Sequence, residues 1–356
     1  MRDDSVLDLD ERKAAILKAI VQAYIREGEP VGSKRLVEGW SFGVSPATVR
    51  SDMAALEEAG FITHPHPSAG RVPTDKGYRF YVDSLPGVAT LSPDQRAALE
   101  QLLLGSADLE ELLRRTSGVL SRLTRFAALV AAPRLDRSRL RHVELVQLGP
   151  TSVLAVFIAD TGRVEKRMLD LDAPVAEQEI GRARHAVNEA VCGLWLSQAR
   201  DVISGLGAGA PPEVRGLVEA VAEAVRDGLV GPPSEQVFVG GTANIAGEGY
   251  FDRLEQVKQV FETLEEQVVV LKMLRAAVEA GDPAVRIGTE LPLVELAACS
   301  VVAARYEAGH ASGSLGVLGP TRMDYPRTLA AVQAVASSLE KALAELSGGG
   351  NAPSGP

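Results

Sequence analysis

Along the first eighty residues the hydrophobic positions recur at helical spacing and then switch briefly to a strand pattern. Ile16, Leu17, Ile20 and Tyr24 share one face of a segment over 10–27, which predicts a helix stopped at Gly28 ahead of Pro30. Val31-Gly32-Ser33 reads as a turn, with Ser33 capping a short helix over 34–38 whose Leu36 and Val37 point inward. Ser45 sits where a cap oxygen takes an orphan amide, and Pro46 where a residue without an amide costs nothing. Val49, Met53 and Leu56 then form one apolar stripe, leaving Ala47, Arg50, Ser51 and Ala54 on other faces until Gly60 ends the helix. Phe61 to His64 and Arg71-Val72 read as two strands around the loop 65–70, and Thr74 or Asp75 caps a helix to about 82. Trp40 and Phe42 are expected to pack between helices, and Tyr78, Phe80, Tyr81 and Val82 to dock the ribbon.

Beyond Pro86-Gly87 the pattern predicts helices over 94–104 and 108–129, the second decorated by Arg114, Arg115, Arg122 and Arg125 as a solvated face. Period-two alternation over 140–171 predicts an antiparallel three-stranded meander, HVELVQLG, SVLAVFIAD and RVEKRMLDL. Helices follow over 175–191 and 213–226, separated by the loose string GLGAGAPP. Such a sheet with helices on one side leaves a second face for a partner subunit. The last third reads as a strand over 236–239, helices over 251–264 and 265–280, strands near 285–288, 297–306 and 314–318, and a terminal helix over 325–346. Mixed strands with flanking helices make a multidomain α+β chain, and the tail GGGNAPSGP has the composition of disorder.

Three helices and a two-stranded ribbon within some 80 residues form a winged helix-turn-helix, a fold that presents its third helix to a DNA groove. Charge narrows that idea. The 356-residue chain carries a formal net charge of −10, so it does not coat nucleic acid along its length, and any contact is local. Between 31 and 80 six basic residues face five acidic ones, a slight excess whose placement matters more than its size. Glu57 and Glu58 lie at the far end of the third helix, and Arg50 lies at the front, the end that meets base edges. Ala47, Thr48, Arg50 and Ser51 are thus the candidates for base edges, and Ser33, Lys34 and Ser45, at helix N-termini, for phosphates. On the ribbon the candidates are His66, Ser68 and Arg71, with Arg71 at the tip reaching an adjacent minor groove.

No catalytic, metal or cofactor constellation is present. His64, His66, His142, His185 and His310 lack partners at motif spacing. The two cysteines, Cys192 and Cys299, lie far apart with no CxxC or Cys/His spacing, so neither a disulfide framework nor a zinc site is indicated. Gly240-Gly241-Thr242 follows a strand but lacks the Lys-Ser/Thr of a phosphate loop, which makes it a tight turn. The charged start MRDDSVLDLDERK and the lack of an apolar run of about 18 residues lead us to expect a cytoplasmic protein.

Specific strings carry a family resemblance. EPVGSKRL, GVSPATVRSDMAALEEAGFI and SAGRVPTDKGYRFYVD (68–83), with GGTANI (240–245) and GVLGPTRMDYPR (316–327), resemble the heat-inducible transcription repressors of the HrcA family. Ser51 stands where the resemblance implies Asn, and Pro67 where it implies Thr. The resemblance implies a DNA-binding domain over 1–86, a GAF-like domain from 87–139 with 237–346, an inserted dimerising domain over 140–236 and a disordered tail over 347–356. It implies a homodimer that binds an inverted-repeat operator in double-stranded DNA upstream of chaperone operons. A chaperonin is the implied partner that keeps the repressor active until heat diverts it, and no enzyme activity is implied. The other reading of the same chain is a winged-helix repressor gated by a small effector in the GAF-like domain.

Overall fold

The structure is a computed structural model that describes residues 9–66, 69–87, 91–106, 108–133, 138–162, 164–228, 236–247, 251, 254–279 and 281–348. Helix α1 (Glu11–Glu27) starts at Asp10, whose carboxylate accepts the Lys13 amide at 2.9 Å. Helix α2 (Ser33–Gly39) is capped by Gly32 and not by Ser33. The cause lies just upstream, where Val31 and Arg71 exchange backbone hydrogen bonds and hold the chain extended, so the helix begins at the next free residue. Helix α3 (Pro46–Glu58) begins where its cap and proline place it, with Val49, Met53 and Leu56 buried. Strands β1 (Ile62–Thr63) and β2 (Val72–Pro73) pair antiparallel, and α4 (Asp75–Asp83) is capped by Thr74. Together these elements make a small head.

The body is built on a five-stranded antiparallel sheet in the order β7-β3-β10-β9-β8. Its members are β3 (Ala127–Ala131), β7 (Val237–Gly240), β8 (Ala284–Ile287), β9 (Cys299–Ala308) and β10 (Ala311–Pro320). Side chains alternate between two helical layers, as a sheet buried on both faces requires. Ala128, Val130, Val302 and Val317 face α5 (Pro93–Leu103), α6 (Leu109–Thr124) and α12 (Tyr325–Gly348). Ala127, Leu129, Val301 and Leu318 face α10 (Leu254–Glu265) and α11 (Gln267–Glu279).

Between β3 and β7 the chain leaves the sheet and builds a separate core. Strands β4 (Leu140–Gln147), β5 (Ser152–Ala159) and β6 (Val164–Asp170) form an antiparallel sheet whose inner face packs on α7 (Glu177–Val191), α8 (Leu196–Gly209) and α9 (Pro212–Gly228). The chain then returns to pair β7 directly with β3, with Ala131 opposite Val237. The outer face of this small sheet carries Val146, Leu154, Val156, Ile158, Val164 and Met168, with Met168 56 % exposed.

Two predicted elements differ. The helix expected over 108–129 ends at Thr124, because Arg125 takes a left-handed turn (φ 61°) and Ala127–Ala131 becomes the fully buried β3. Its small apolar residues continue the leucine pattern of α6 without a break, so periodicity does not mark the change. The expected loop around 205–212 is mostly helix, since burial of Ala199 and Ile203 against the neighbouring helices offsets the low helix propensity of its glycines. The terminal helix runs to Gly348, so the expected tail lies outside the described residues from 349 onward.

The head does not hang from its linker. One continuous apolar core runs from Ile16, Leu17 and Leu56 through Tyr78 to Tyr325, Val332 and Leu339 of the body.

Candidate nucleic-acid interface

Ser45 Oγ accepts the Thr48 amide at 3.2 Å and lies 3.1 Å from the Thr48 hydroxyl, which closes the first turn of α3. The stripe of Val49, Met53 and Leu56 then turns Ser45, Ala47, Arg50, Ser51 and Ala54 outward, all of them exposed. No described side chain neutralises Arg50. Thr48 is half-buried and engaged with Ser45, so it belongs to the cap as much as to the exposed face.

The far end of α3 is tied down. Glu57 accepts from Arg71 Nε at 2.9 Å, with Arg71 Nη2 2.7 Å from the same oxygen in an ion pair, and it also bonds His64 Nδ1. The Glu57 carboxyl is held below the usual carboxylate range, chiefly by His64 and further by Arg71. Lys76 Nζ donates to the Ala59 carbonyl at 3.0 Å and Thr74 Oγ1 to the Gly60 carbonyl at 2.7 Å, so groups following the ribbon satisfy the orphan carbonyls of the helix end. Phe80 meets Phe61 edge to face at 5.8 Å, and Lys76 lies 4.4 Å over the Phe61 ring.

Arg71 therefore sits at the base of the ribbon and not at its tip. Its backbone pairs with Val31 and its guanidinium with Glu57. Gly70 makes that approach possible, because a Cβ there would stand 2.7 Å from the Pro30 carbonyl. His66 is exposed at the described edge of the tip, and Ser68 lies outside the described residues, as does Pro67. Ser33 is 8 % exposed, which withdraws its hydroxyl and leaves its amide at the front of α2, whereas Lys34 is exposed.

The rest of the described molecule offers other surfaces. Among the described residues no cluster of histidine, cysteine or carboxylate groups has metal-binding geometry. Cys299 is fully buried and its thiol is pushed up to about 12 by burial. The Gly240-Gly241 turn packs on α6, where Asn244 Nδ2 donates to Ser121 Oγ at 2.9 Å, leaving no phosphate cradle. A hollow of about 820 Å³ on the inserted segment is lined by Asp170, Asp172, Glu179, Glu213 and Glu223, a surface that repels nucleic acid. No described helix is long and apolar enough to cross a membrane.

With this geometry in hand, the kinship of the chain is decisive. The description "HrcA protein C terminal domain" matches residues 110–329. A protein of Frankia casuarinae, named heat-inducible transcription repressor HrcA, is 46 % identical over 336 residues, covering 94 % of this chain and 99 % of that protein. The chain belongs to the HrcA family of heat-inducible transcription repressors. A second HrcA, from Acidothermus cellulolyticus, is 47 % identical over 338 residues, covering 95 % of this chain and 99 % of its own length. A solved structure described as a hypothetical protein at 2.2 Å resolution shares the fold, with a TM-score of 0.66 at 23 % identity, covering 95 % of this chain and 99 % of that one. HrcA proteins are transcription repressors and not enzymes.

Several residues that shape this interface carry no motif signal. Arg12, Asp52, Glu57 and Lys76 hold α3 from behind and below. Their partners lie on other elements, and only the charge of Asp52 inside an otherwise apolar stripe hints that a counter-charge is required.

Proposed function

We propose that this HrcA protein represses chaperone (heat-shock) operons by binding an inverted-repeat operator as a homodimer, and that heat releases it through loss of chaperonin support. The carrying observation is the outward face of α3, where Arg50 stands exposed and un-neutralised beside Ser51 and Ala47. In this reading residues 1–86 are a winged helix-turn-helix head, 87–139 with 237–346 a GAF-like body, and 140–236 a dimerising insertion. Ala47, Thr48, Arg50 and Ser51 meet base edges, while Ser45, Lys34 and the Ser33 amide meet phosphates. His66 and Ser68 carry the ribbon contact, with Arg71 bracing the ribbon through Glu57.

The homodimer is supported by the outer face of the three-stranded sheet, where Val146, Leu154, Val156, Ile158, Val164 and Met168 stand beside His142, Glu144 and Lys166, a largely apolar surface with polar groups that a second copy covers by two-fold symmetry. A nearly neutral head on an acidic body binds weakly alone, so affinity comes from engaging two half-sites at once. Such a protein works in the cytoplasm, where its operator and chaperonin are.

Selection of bound duplexes from a random pool, run with and without chaperonin and across a salt series, tests the reading. The expected result is a palindromic consensus, affinity that falls with salt, and retention that improves with chaperonin. A recovered pool without two-fold symmetry overturns it.

A further inference from the structure

The strings 68–83 and 316–327 meet at one seam between head and body. Asp75 Oδ2 accepts both the Thr289 amide and the Thr289 hydroxyl, each at 2.9 Å. One turn along α4, Arg79 donates Nε to Glu290 Oε1 at 2.7 Å and Nη2 to the Val285 carbonyl at 2.7 Å, with Glu290 Oε2 on the same guanidinium. Glu290 is itself fixed, since its Oε2 accepts the Ile287 amide at 3.0 Å. Between these pairs and α1, the Tyr78 ring lies 6.0 Å from that of Tyr325, whose hydroxyl is engaged with Ser300 and donates to the Thr321 carbonyl. Arg322 of the same loop lies 5.9 Å over Tyr24 of α1.

These anchors are spread over two helices of the head, so they fix its orientation and not merely its attachment. Apolar contact alone would hold the head to the body. A planar guanidinium fork and a carboxylate that takes two donors add direction, which is what paired polar groups contribute at partly buried sites. The seam uses α1 and α4 and leaves the outward face of α3 free.

We infer that Asp75 and Arg79 are positioning residues for operator recognition: by locking each head to Thr289 and Glu290 of its body, they set the half-site spacing that the dimer accepts. The inference rests on the two-headed reading above. Adding one base pair between half-sites turns the second by about 35° around the duplex. A locked head cannot follow that turn. A head without these polar anchors keeps its apolar contact and its covalent connection to α5, which attach it without fixing its angle, and it adapts to the turn.

Full-length wild type, Arg79→Met and the milder Asp75→Asn would be titrated against duplexes with one half-site sequence and stepped spacings. A second pool of fixed spacing and randomised half-site would be run in parallel. The wild type should lose about tenfold or more when the spacing departs from its optimum, because simultaneous engagement fails. In both variants the loss should shrink to about threefold or less, with the half-site consensus unchanged. Variants that keep the wild-type spacing optimum overturn the inference. So do variants that lose half-site recognition itself, since the seam would then support the fold of the head and not its pose. A wild type that selects no inverted repeat at all overturns the two-headed reading instead.

Discussion

Arg12 on α1 grips Asp52 on α3 through two hydrogen bonds, Nε to Oδ2 at 2.8 Å and Nη2 to Oδ1 at 3.2 Å. Asp52 is 7 % exposed and directly follows Ser51, so the fork fixes how far α3 is rolled about its axis and where Arg50 and Ser51 point. Replacing Arg12 by Met strands a buried carboxylate. Arg12→Met should melt below wild type, and Arg12→Met/Asp52→Asn should recover part of the loss because the orphaned charge is gone. A double variant that melts no higher than the single one refutes this account.

Arg50 is the exposed cation at the front of α3, and its removal should be felt at the operator alone. A good base-edge contact discriminates by about 1–3 kcal/mol, so Arg50→Ala should weaken operator binding by roughly 10- to 100-fold. Gel retardation measures the loss, and sedimentation should show the oligomeric state unchanged. Undiminished retention removes Arg50 from the interface.

Acid should loosen the brace beneath α3. Glu57 is held below its ordinary value of 4.5, first by the hydrogen bond to His64 and then by Arg71, with burial opposing. A carboxyl depressed in the folded state contributes fully above its unfolded value and loses that contribution as pH falls through the folded one. Stability should therefore decline as pH drops below 4.5, and Glu57→Gln should flatten that acid limb. Urea midpoints taken between neutral and acid pH check it, and an identical acid limb in the variant counts against the brace.

Met168 and its cross-strand partner Leu154 form, with Val146, an apolar row at one end of the open sheet face. In a dimer closed over that face, Met168→Glu buries an unpaired charge costing ~3–5 kcal/mol. The dissociation constant should rise by roughly a hundredfold or more, with the circular dichroism spectrum unaltered. Sedimentation showing an intact dimer at low concentration places the interface elsewhere.

What the residues disclose before any coordinates depends on where their partners lie. Ser45-Pro46 and the Val49-Met53-Leu56 stripe announce α3 because cap and stripe sit within a few positions of one another. The α6–β3 junction hides because Ala127–Ala131 continues an apolar run and Arg125, not glycine, makes the left-handed turn. Arg71 reads as a free cation from its neighbours, and only folding brings Glu57 to it. Asp75 and Arg79 look like ordinary surface charges of α4, since Thr289 and Glu290 come from a distant stretch with no periodic signature. Resemblance names the strings that matter, and geometry shows that two of them face each other.

The interrupted sheet has a consequence for how the protein is made. Strand β3 is apolar on both faces, and its neighbours β7 and β10 are encoded far downstream. During translation α5 and α6 are at hand to cover one face of β3, but its partner strands and the α10–α11 layer do not yet exist, while α1 to α4 find most of their partners within the head itself. The seat of the head, built from Glu290, Ser300 and Tyr325, is among the last parts synthesised. A nascent chain thus passes through a stage with a formed head, no seat beneath it and a hydrophobic strand open on one face and along both edges, the kind of surface on which a folding helper acts.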